Sequence, residues 1–332
     1  MRIGLILDSR LSESKISELG LLAEKYGIHT IWTASYIDSR DPFTNLSRLA
    51  LQSSRINLGP IAINPFDTHP IRIATGLLTL NELAKGRANI VIGGGGESLQ
   101  SLNIKPLRRV RAVEECVDIL KSINPDTPFD FNGELFQVKN YNPFWATQRR
   151  PRVYVAANKT MMLKMASKVS DGIMMSDLPV ILIKDTVRKV VTHLESFDRN
   201  QDNFKFNNFM AWALYDDKQR AMNEAKQWLG YRGLFRRWVI TTFMSDKEYD
   251  LIEAHKTEIY RMPSLNASSV DGIPDSLLEK LVTGHISEVD QKIEHLLELK
   301  SAGLTDVALE LRENPAASIK LLGEQVVPAL NE

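Results

Sequence analysis

Cysteine is almost absent from this sequence, since the 332 residues contain one, Cys116. A single cysteine excludes a disulfide framework within the chain. Val113, Val117 and Leu120 stand at helical spacing from it, which favours a core thiol over a nucleophile. The six histidines form no HExxH pattern, and CxxC and Walker patterns are missing too. We therefore expect no metal site.

A surplus of charge of one sign is also missing. Lysine plus arginine and aspartate plus glutamate number 41 each. This balance gives no global indication of nucleic-acid binding, and we interpret the local basic clusters "RRVR" and "QRRPR" as solvated faces. The first residues, "MRIGLIL", show no charged leader, and no apolar run reaches the 18 residues of a membrane span. We predict a cytoplasmic protein that binds neither nucleic acid nor membrane.

What the sequence does contain is a regular alternation of short apolar runs and amphipathic segments. The run "RIGLIL", for example, precedes "SESKISELGLLAEKYG", which opens at the cap residue Ser12 and closes at Gly27. Eight such strand-plus-helix units can be counted, the seventh with the run "FNNFMAWALY". Continuously apolar strands are typical of a parallel sheet covered on both faces. Eight units in this length predict an α/β fold of the closed (β/α)8 TIM-barrel type.

Two segments interrupt the alternation. Residues 124–150 include "NPDTPFDFNGELFQVKNYNPF", which predicts a hairpin after the fourth strand. Residues 231–284 contain extra helical stretches and a loop with Ser, Asn and Pro, and form an insertion after the seventh strand. A mobile lid, a dimer surface and a substrate cover are all open roles for it. The prediction is one barrel domain over residues 1–332 with these two insertions.

In a TIM barrel the chemistry belongs at the carboxyl ends of the strands. Four consecutive glycines, in "VIGGGGESLQSL", follow the fourth strand, and they indicate either a tight turn or a ligand lying against the backbone. The other strand ends supply hydrogen-bonding groups. In chain order these groups are Asp8, Ser9, Ser35, Tyr36, Asn64, Glu97, Asn158, Lys159, Ser176, Asp177, Trp212, Tyr215, Glu310 and Arg312.

A resemblance to a known family begins at Ile56. The segment "INLGPIAINPFDTHPIRIATGLLTLNELAKGRANIVIGGGG" resembles the luciferase-like barrel superfamily, whose members share an "LG…N…HP…A…TL.EL..GR….G.G" pattern. "RPRVYVAANKTMMLKMASKVSDGIMMS" and "SIKLLGE" resemble one branch, the coenzyme F-420-dependent methylenetetrahydromethanopterin reductases. The resemblance covers nearly the whole chain. It implies a barrel of the bacterial-luciferase-like type, an F-420- or flavin-dependent enzyme, and a homodimer or higher homo-oligomer.

The resemblance also implies where a cofactor lies. In the family a flavin or deazaflavin ring rests against the third and fourth strands, and its phosphate lies near the loop and helix after the fifth. "GPIAIN" corresponds to a bulge that in several relatives contains a non-prolyl cis peptide and presses on the ring. Gly59 could belong to this backing. The cofactor-binding candidates are Ser35, Ile61, Ala62, Ile63, Asn64, Gly93, Gly94, Gly95, Gly96, Asn158, Lys159, Thr160 and Ser176.

The fifth strand end supports a phosphate site on its own residues. The strand ends at Ala157 and a helix begins near Thr160, so backbone N–H groups from Lys159 to Met161 could hold a phosphate with the helix dipole. Lys159 adds a cation. Asn158 adds an amide, with a simple helix cap as the alternative.

One departure from the family pattern bears on the cofactor. Many F-420-dependent relatives carry an acidic residue and then histidine at the end of strand two, where this chain has Ala34 and Ser35. F-420 is the leading cofactor, and FMN is the alternative. Tyr36 could hydrogen-bond ring or substrate, or could merely pack. Asp8 and Glu310, on neighbouring strands, could be general acids, caps or salt-bridge partners.

Three functional hypotheses follow. The first is an oxidoreductase that transfers a hydride between F-420, or a flavin, and a small organic substrate, possibly a methylene-tetrahydropterin-type one-carbon carrier. The second is an FMN-dependent luciferase-like monooxygenase. The third is a barrel that binds flavin without catalysis, or binds no cofactor. His69, in "THP", matches the superfamily pattern and could fix a loop or take part in catalysis.

Overall fold

A computed structural model describes residues 1–147, 149–224, 237–242, 244–254, 276, 283–285 and 288–331. Eight parallel strands form one sheet in the spatial order β3-β2-β1-β12-β9-β8-β7-β4. The remaining strands form an antiparallel pair, β5 and β6, and a parallel pair, β10 and β11. The strands are β1 Arg2–Leu7, β2 Thr30–Ala34, β3 Asn57–Ile61, β4 Asn89–Ile92, β5 Phe129–Asn132, β6 Gln137–Tyr141, β7 Arg152–Ala156, β8 Gly172–Ser176, β9 Lys205–Ala211, β10 Ala213–Tyr215, β11 Thr283–His285 and β12 Asp306–Glu310.

Helices follow the barrel strands and cover the outside of the sheet. Residues 218–224 are also helical, and a π-helical segment, Leu322–Val326, precedes the last helix. Among the described residues, no helix is long and apolar enough to cross a bilayer. The helices are α1 Glu13–Lys25, α2 Pro42–Gln52, α3 Pro70–Leu83, α4 Glu97–Ser101, α5 Arg109–Ser122, α6 Thr160–Val169, α7 Val180–Ser196, α8 Arg237–Ile240, α9 Asp246–Ala254, α10 Val289–Ser301, α11 Pro315–Leu321 and α12 Val327–Asn331.

Side-chain caps explain where several helices begin and end. The Ser12 hydroxyl accepts a hydrogen bond from the Lys15 amide at the start of α1, as the sequence predicts. At the start of α3, Nδ1 of His69 accepts from the Ile71 amide at 3.2 Å. The buried Arg87 guanidinium binds the end of α2, donating to the carbonyls of Ala50 and Ser53 at 3.0 and 2.9 Å. These carbonyls would otherwise lack partners at the helix C-terminus.

The barrel closes between β3 and β4 through isolated contacts. Leu58 pairs with Ala88 and Ile63 with Ile92. The Ile63 amide donates to Val91 O at 3.0 Å, and the Gly93 amide donates to Ile63 O at 2.8 Å. The peptide bond between Ile61 and Ala62 is cis. The predicted eight-stranded parallel barrel is confirmed.

Gly59 makes this closure possible. A Cβ atom built on Gly59 would lie 1.9 Å from the carbonyl oxygen of Asn89, which is a hard overlap with the backbone of β4. The two strands can therefore approach each other here only because residue 59 has no side chain.

The two faces of the barrel strands pack differently. Alternate residues such as Leu5 and Ile31 point outward into the large core between sheet and helices. The inward residues form a separate cluster, in which Trp32 and Tyr154 meet edge to face with ring centroids 5.8 Å apart. The centre of the barrel is thus filled by side chains. The inner cluster consists of Ile6, Trp32, Ile61, Val91, Tyr154, Met174 and Ala308.

The first interruption, residues 124–150, contains the β5–β6 hairpin, and a buried carboxylate holds it. Glu115, on α5, accepts hydrogen bonds from the amides of Glu134, Leu135 and Phe136 at 2.7, 2.9 and 3.0 Å. Arg111 donates to the same carboxylate at 2.8 Å. Because three amides and a cation surround the charge, its burial is compensated.

The seventh barrel strand is shorter than the run "FNNFMAWALY" predicts. It ends at Ala211, and Ala213–Tyr215 pairs with Thr283–His285 instead of with the barrel. Most of the second insertion, residues 231–284, lies outside the described residues. Within it, α8 and α9 fall in the stretches expected to be helical.

At the amino-terminal mouth of the barrel, a neutral histidine lies within a charged network. Arg2 binds Asp306 through Nε at 2.7 Å, and Nη1 of Arg2 lies 3.1 Å from Nε2 of His29. Since arginine only donates, Nε2 accepts, and Nδ1–H donates to the Thr30 hydroxyl at 2.7 Å. Burial and the charge of Arg2 lower the pKa of His29 to about 4.

We expect Gly59→Ala to prevent stable closure of the barrel. The methyl group would overlap Asn89 O, so the unfolding free energy should fall by at least about 3 kcal/mol. Gly96→Ala is the matched control, because no heavy atom lies within 4 Å of its Cβ position, and it should change stability by less than about 1 kcal/mol. Urea unfolding of both variants measures this, and similar stabilities would contradict the closure argument.

We expect the unfolding free energy to decrease as the pH falls from about 6.5 to about 4. In this window His29 of the unfolded chain binds a proton, whereas the folded chain, with its lowered pKa, does not. The loss should reach at most about 3 kcal/mol, from 1.36 kcal/mol per pKa unit. His29→Asn should flatten this part of the pH profile, and His193→Asn, on the outer helix α7, should not. Equal slopes in both variants would refute the assignment.

Candidate active site

At the carboxyl end of the barrel, the inward-facing side chains form a surface, here called the floor, that is made of small residues on one side. Ala62, Ala156 and Phe209 pack onto the inner cluster, and strand alternation directs Gly93 and Glu310 to the same level. A Cβ atom on Gly93 would lie 3.2 Å from Cβ of Ala62 and 3.8 Å from Cβ of Ala156. Small residues therefore line the β3–β4–β7 side, and larger groups line the β9–β12 side. A flat ring could lie on the side without large side chains.

The four glycines differ in what they meet. A Cβ on Gly94 would lie 2.7 Å from Cδ of Arg109, and one on Gly95 would lie 2.2 Å from Leu99. Gly95 also has φ of +70°, which disfavours other residues. Gly96 borders open space. The glycine run thus combines a turn at Gly95 with a position, Gly93, where no side chain covers the floor.

Asn158 joins the ends of two neighbouring strands. Its amide nitrogen donates to Ser176 O at 3.3 Å, and its amide oxygen accepts from Ser176 N at 3.1 Å. The cap position of α6 is occupied by Lys159, which makes no side-chain cap bond, so Asn158 is not the helix cap. Ser176 in turn donates through its hydroxyl to Asp177 at 2.7 Å. Asn158 therefore positions β8 relative to β7.

The first turn of α6 lies beside the glycine run. The methyl carbon of Met162 is 3.5 Å from the Cβ position of Gly94. Lys159 and Thr160 are exposed at this turn. The backbone N–H groups of a first helical turn have no hydrogen-bond partner within the helix. Arg109 reaches the same glycine and pairs with no carboxylate in the part of the chain that the structure describes. The sequence did not indicate Arg109, because the cluster "RRVR" is typical of a solvated face. Only the folded loop shows that Arg109 lies next to Gly94.

Three predicted cofactor residues, Ile63, Asn64 and Ser35, have contacts of their own near the strand ends. Ile63 points into the outer core rather than toward the barrel mouth. The Asn64 amide folds its own loop, accepting from Phe66 N at 3.0 Å and donating to Asp67 at 2.6 Å. Ser35 contributes its backbone amide to Ile61 O at 2.9 Å. Ala62, Gly93, Lys159 and Thr160 are the candidates that face or border the mouth.

The three catalytic candidates are divided between the first, second and last barrel strands. Glu310 is 4% exposed, and its Oε1 lies 4.0 Å from the Arg312 guanidinium. Asp8 is more open, accepting from the Arg10 amide at 3.0 Å and lying 3.5 Å from its Nε. Ile6 pairs with Glu310 across β1 and β12, so Asp8 stands one inward position above Glu310. Tyr36 is half-buried after β2.

Exposed apolar side chains surround the same end. Each of these five residues lies in the segment that follows the carboxyl end of a barrel strand. Apolar side chains of this size are ordinarily buried. Exposed apolar groups around a cleft are typical of ligand-binding surfaces. They are Ile37, Leu102, Leu107, Met161 and Ile181.

Metal chemistry finds no support in the described residues. Within them, no group of three or more His, Cys, Asp or Glu side chains is arranged to hold an ion. Cys116 is fully buried, and burial raises the pKa of its thiol, so it is not a nucleophile.

One known protein family matches nearly the whole chain. The profile of the family described as luciferase-like monooxygenase matches residues 3–306, which is most of the chain. The chain belongs to this family. The family is enzymatic, and the prediction of a luciferase-like oxidoreductase with a TIM barrel is confirmed at this level.

Relatives in the luciferase-like family include reductases and oxygenases. The 5,10-methylenetetrahydromethanopterin reductase of Archaeoglobus fulgidus is 24% identical over 333 residues, with 93% of each chain covered. The oxygenase component of the flavin-dependent trigonelline monooxygenase of Acinetobacter baylyi is also 24% identical, with 95% of this chain and 89% of that one covered. The resemblance to the reductase branch is thus confirmed.

One solved structure shows how closely the fold is shared within the luciferase-like family. The coenzyme F-420-dependent tetrahydromethanopterin reductase from Methanopyrus kandleri superposes with a TM-score of 0.83, covering 98% of each chain at 18% identity.

We expect Asn158→Ala to loosen the carboxyl end of β8. Loss of both hydrogen bonds to Ser176 should reduce the unfolding free energy by about 1–3 kcal/mol and speed hydrogen exchange of the Ser176 amide. Asn132→Ala, at an exposed site at the end of β5, is the control and should leave both quantities unchanged. Unaltered exchange at Ser176 in Asn158→Ala would show that the amide does not hold this strand.

Proposed function

We propose that this protein is an F-420-dependent oxidoreductase that transfers a hydride between the deazaflavin and a small organic substrate. A one-carbon carrier of the methylene-tetrahydropterin type is the proposed substrate. The observation that carries the proposal is the surface of small residues around Gly93, together with the amino terminus of α6 beside the glycine run. The names of the reductase relatives support the choice of substrate, and the description of the solved Methanopyrus kandleri reductase as coenzyme F-420-dependent supports the choice of F-420.

The floor suits a flat tricyclic ring. Ala62, Gly93 and Ala156 give it a surface without large side chains, and Ile61 fills the barrel beneath. One methyl group at Gly93 would already press on Ala62. The proposed ring therefore approaches β3 and β4 because glycine stands at position 93.

The cofactor tail suits the other half of the site. A phosphate at the first turn of α6 would meet free amide groups and the positive end of the helix dipole. Lys159 and Arg109 add positive charge on either side. This arrangement accepts the phosphate of F-420 or of FMN.

When bound, the cofactor supplies the hydride. We propose that the side chains opposite the floor orient the substrate and manage protons. Glu310 would hold or release a proton at its carboxyl oxygen, which lies 4.0 Å from the Arg312 guanidinium. Asp8, above it, would act on the more exposed part of the substrate. The apolar groups around the mouth would exclude water from the reacting atoms.

An FMN-dependent monooxygenase is the alternative function. Ala34 and Ser35 stand where many F-420-dependent relatives have an acidic residue and histidine, and the trigonelline monooxygenase relative is named as flavin-dependent. The third candidate is a barrel that binds flavin without catalysis or binds no cofactor. For all three we propose a cytoplasmic homodimer or higher homo-oligomer built from one barrel domain per chain.

Fluorescence titration of the purified protein with F-420 and, in parallel, with FMN tests the proposal. We expect saturable quenching by F-420 binding and much weaker binding of FMN. Gly93→Val should weaken F-420 binding at least about tenfold, because its side chain occupies the floor, and Gly93→Ala serves if the valine variant does not fold. Asn132→Ala, at an exposed site at the end of β5, is the control and should bind like the wild type.

Each other outcome of the titration points to another function. Preference for FMN would favour the monooxygenase, and binding of neither cofactor would favour the cofactor-free barrel. Unchanged F-420 binding in both Gly93 variants would show that the ring lies elsewhere.

A further inference from the structure

A cavity lies at the amino-terminal mouth of the barrel, opposite the candidate active site. Its volume is about 230 Å³. The first residues of β1, β3, β4 and β7 line one side of it, and the loop before β7 lines the other. The lining residues are Arg2, His29, Asn57, Gly86, Ala88, Asn89, Arg149, Arg150, Arg152 and Tyr154.

Positive charge dominates this cavity. Among its arginines, Arg2 is bound by Asp306, and Arg150 donates to the carbonyl of Lys121 at 2.7 Å. Arg149 and Arg152 are exposed, and neither pairs with a carboxylate among the described residues. Both oxygens of Asp306 are already engaged, at 2.7 and 3.0 Å from Arg2. The cavity therefore has more cationic groups than carboxylates to neutralise them.

Two neighbouring titratable groups, Lys205 and His29, have lowered pKa values to which burial contributes most. Burial, and after it the charges of Arg2 and Arg152, lower the pKa of Lys205, at the start of β9. The same two arginines act with burial on the pKa of His29. Asp306 acts in the opposite direction on the pKa of both groups but does not reverse the lowering.

Arg152 is within hydrogen-bonding reach of Tyr154, another lining residue, whereas Arg149 is held in place by a glycine. A Cβ atom on Gly86 would lie 2.6 Å from Cδ of Arg149, so the arginine stem crosses the backbone where no side chain stands. Gly86 has φ of +83°, which also disfavours other residues. A stem packed in this way loses less freedom when its guanidinium binds a ligand.

We propose that this cavity binds a compact oxyanion of the phosphate class. Guanidinium groups match the geometry of phosphate oxygens with paired N–H donors. Pockets for drug-sized ligands span about 300–1,000 Å³, so a cavity of about 230 Å³ suits a small ion better than a nucleotide. Arg149 and Arg152 supply the charge, and Asn89 supplies a neutral amide.

This site is separate from the proposed cofactor site. The strands begin at this mouth and end at the other, so the barrel and its filled interior lie between the oxyanion and Lys159. Neither site contributes a residue to the other. Arg149, Arg150 and Arg152, which belong to a cluster that the sequence analysis interprets as a solvated face, line this cavity.

Calorimetric titration with inorganic phosphate at constant ionic strength tests the proposal, with chloride as the comparison salt. We expect saturable phosphate binding to the wild-type protein and a matching rise in Tm. Arg149→Gln combined with Arg152→Gln should weaken binding at least about tenfold. Arg188→Gln combined with Lys189→Gln removes the same charge from α7, where both pair with Asp185, and should bind like the wild type.

Other results would overturn the proposal. Equal phosphate binding in the Arg149/Arg152 variant, equal loss in the α7 variant, or an equal response to chloride would show a general charge effect. Loss of phosphate binding in Lys159→Gln, with retention in the Arg149/Arg152 variant, would place the ion at the other mouth. If the double variant does not fold, the exposed Arg149→Gln alone gives the same test.

Discussion

The close approach of β3 to β4 at Gly59 is the constraint on which the rest of this structure depends. Every other neighbouring pair of barrel strands has a regular parallel ladder, whereas this pair is joined by two isolated bridges. Without that contact the sheet would stay open, and β3 and β4 would no longer form one wall. The floor of the candidate site needs both strands, because Ala62 and Gly93 touch across the seam.

Much of the fold could be predicted from the sequence, because short local patterns indicate its strands and helices. The cap at Ser12 and the apolar run of β1 are examples. Contacts between distant segments could not be predicted. Ala213–Tyr215 continues an apolar run, yet its partner is Thr283–His285, far along the chain. Glu115 looks like one charge among several on α5, and only the packed hairpin shows that it is buried.

The candidate site shows the same limit. The glycine run and the start of α6 were visible in the sequence as strand ends. The pairing of Asn158 with Ser176, and the approach of Arg109 to Gly94, depend on how loops fold back. The side chain of Ile63 likewise packs into the outer core, which the sequence of its segment does not indicate.

The residues of the shared family pattern have a consequence for how relatives are recognised. Gly59 closes the barrel, His69 caps α3, Arg87 binds the end of α2, and Gly95 turns the chain. Asn64 folds its own loop. These letters of the signature record the architecture of the barrel and not its chemistry. Proteins that share this signature will therefore share a scaffold while their reactions differ, as a reductase and an oxygenase among the relatives illustrate.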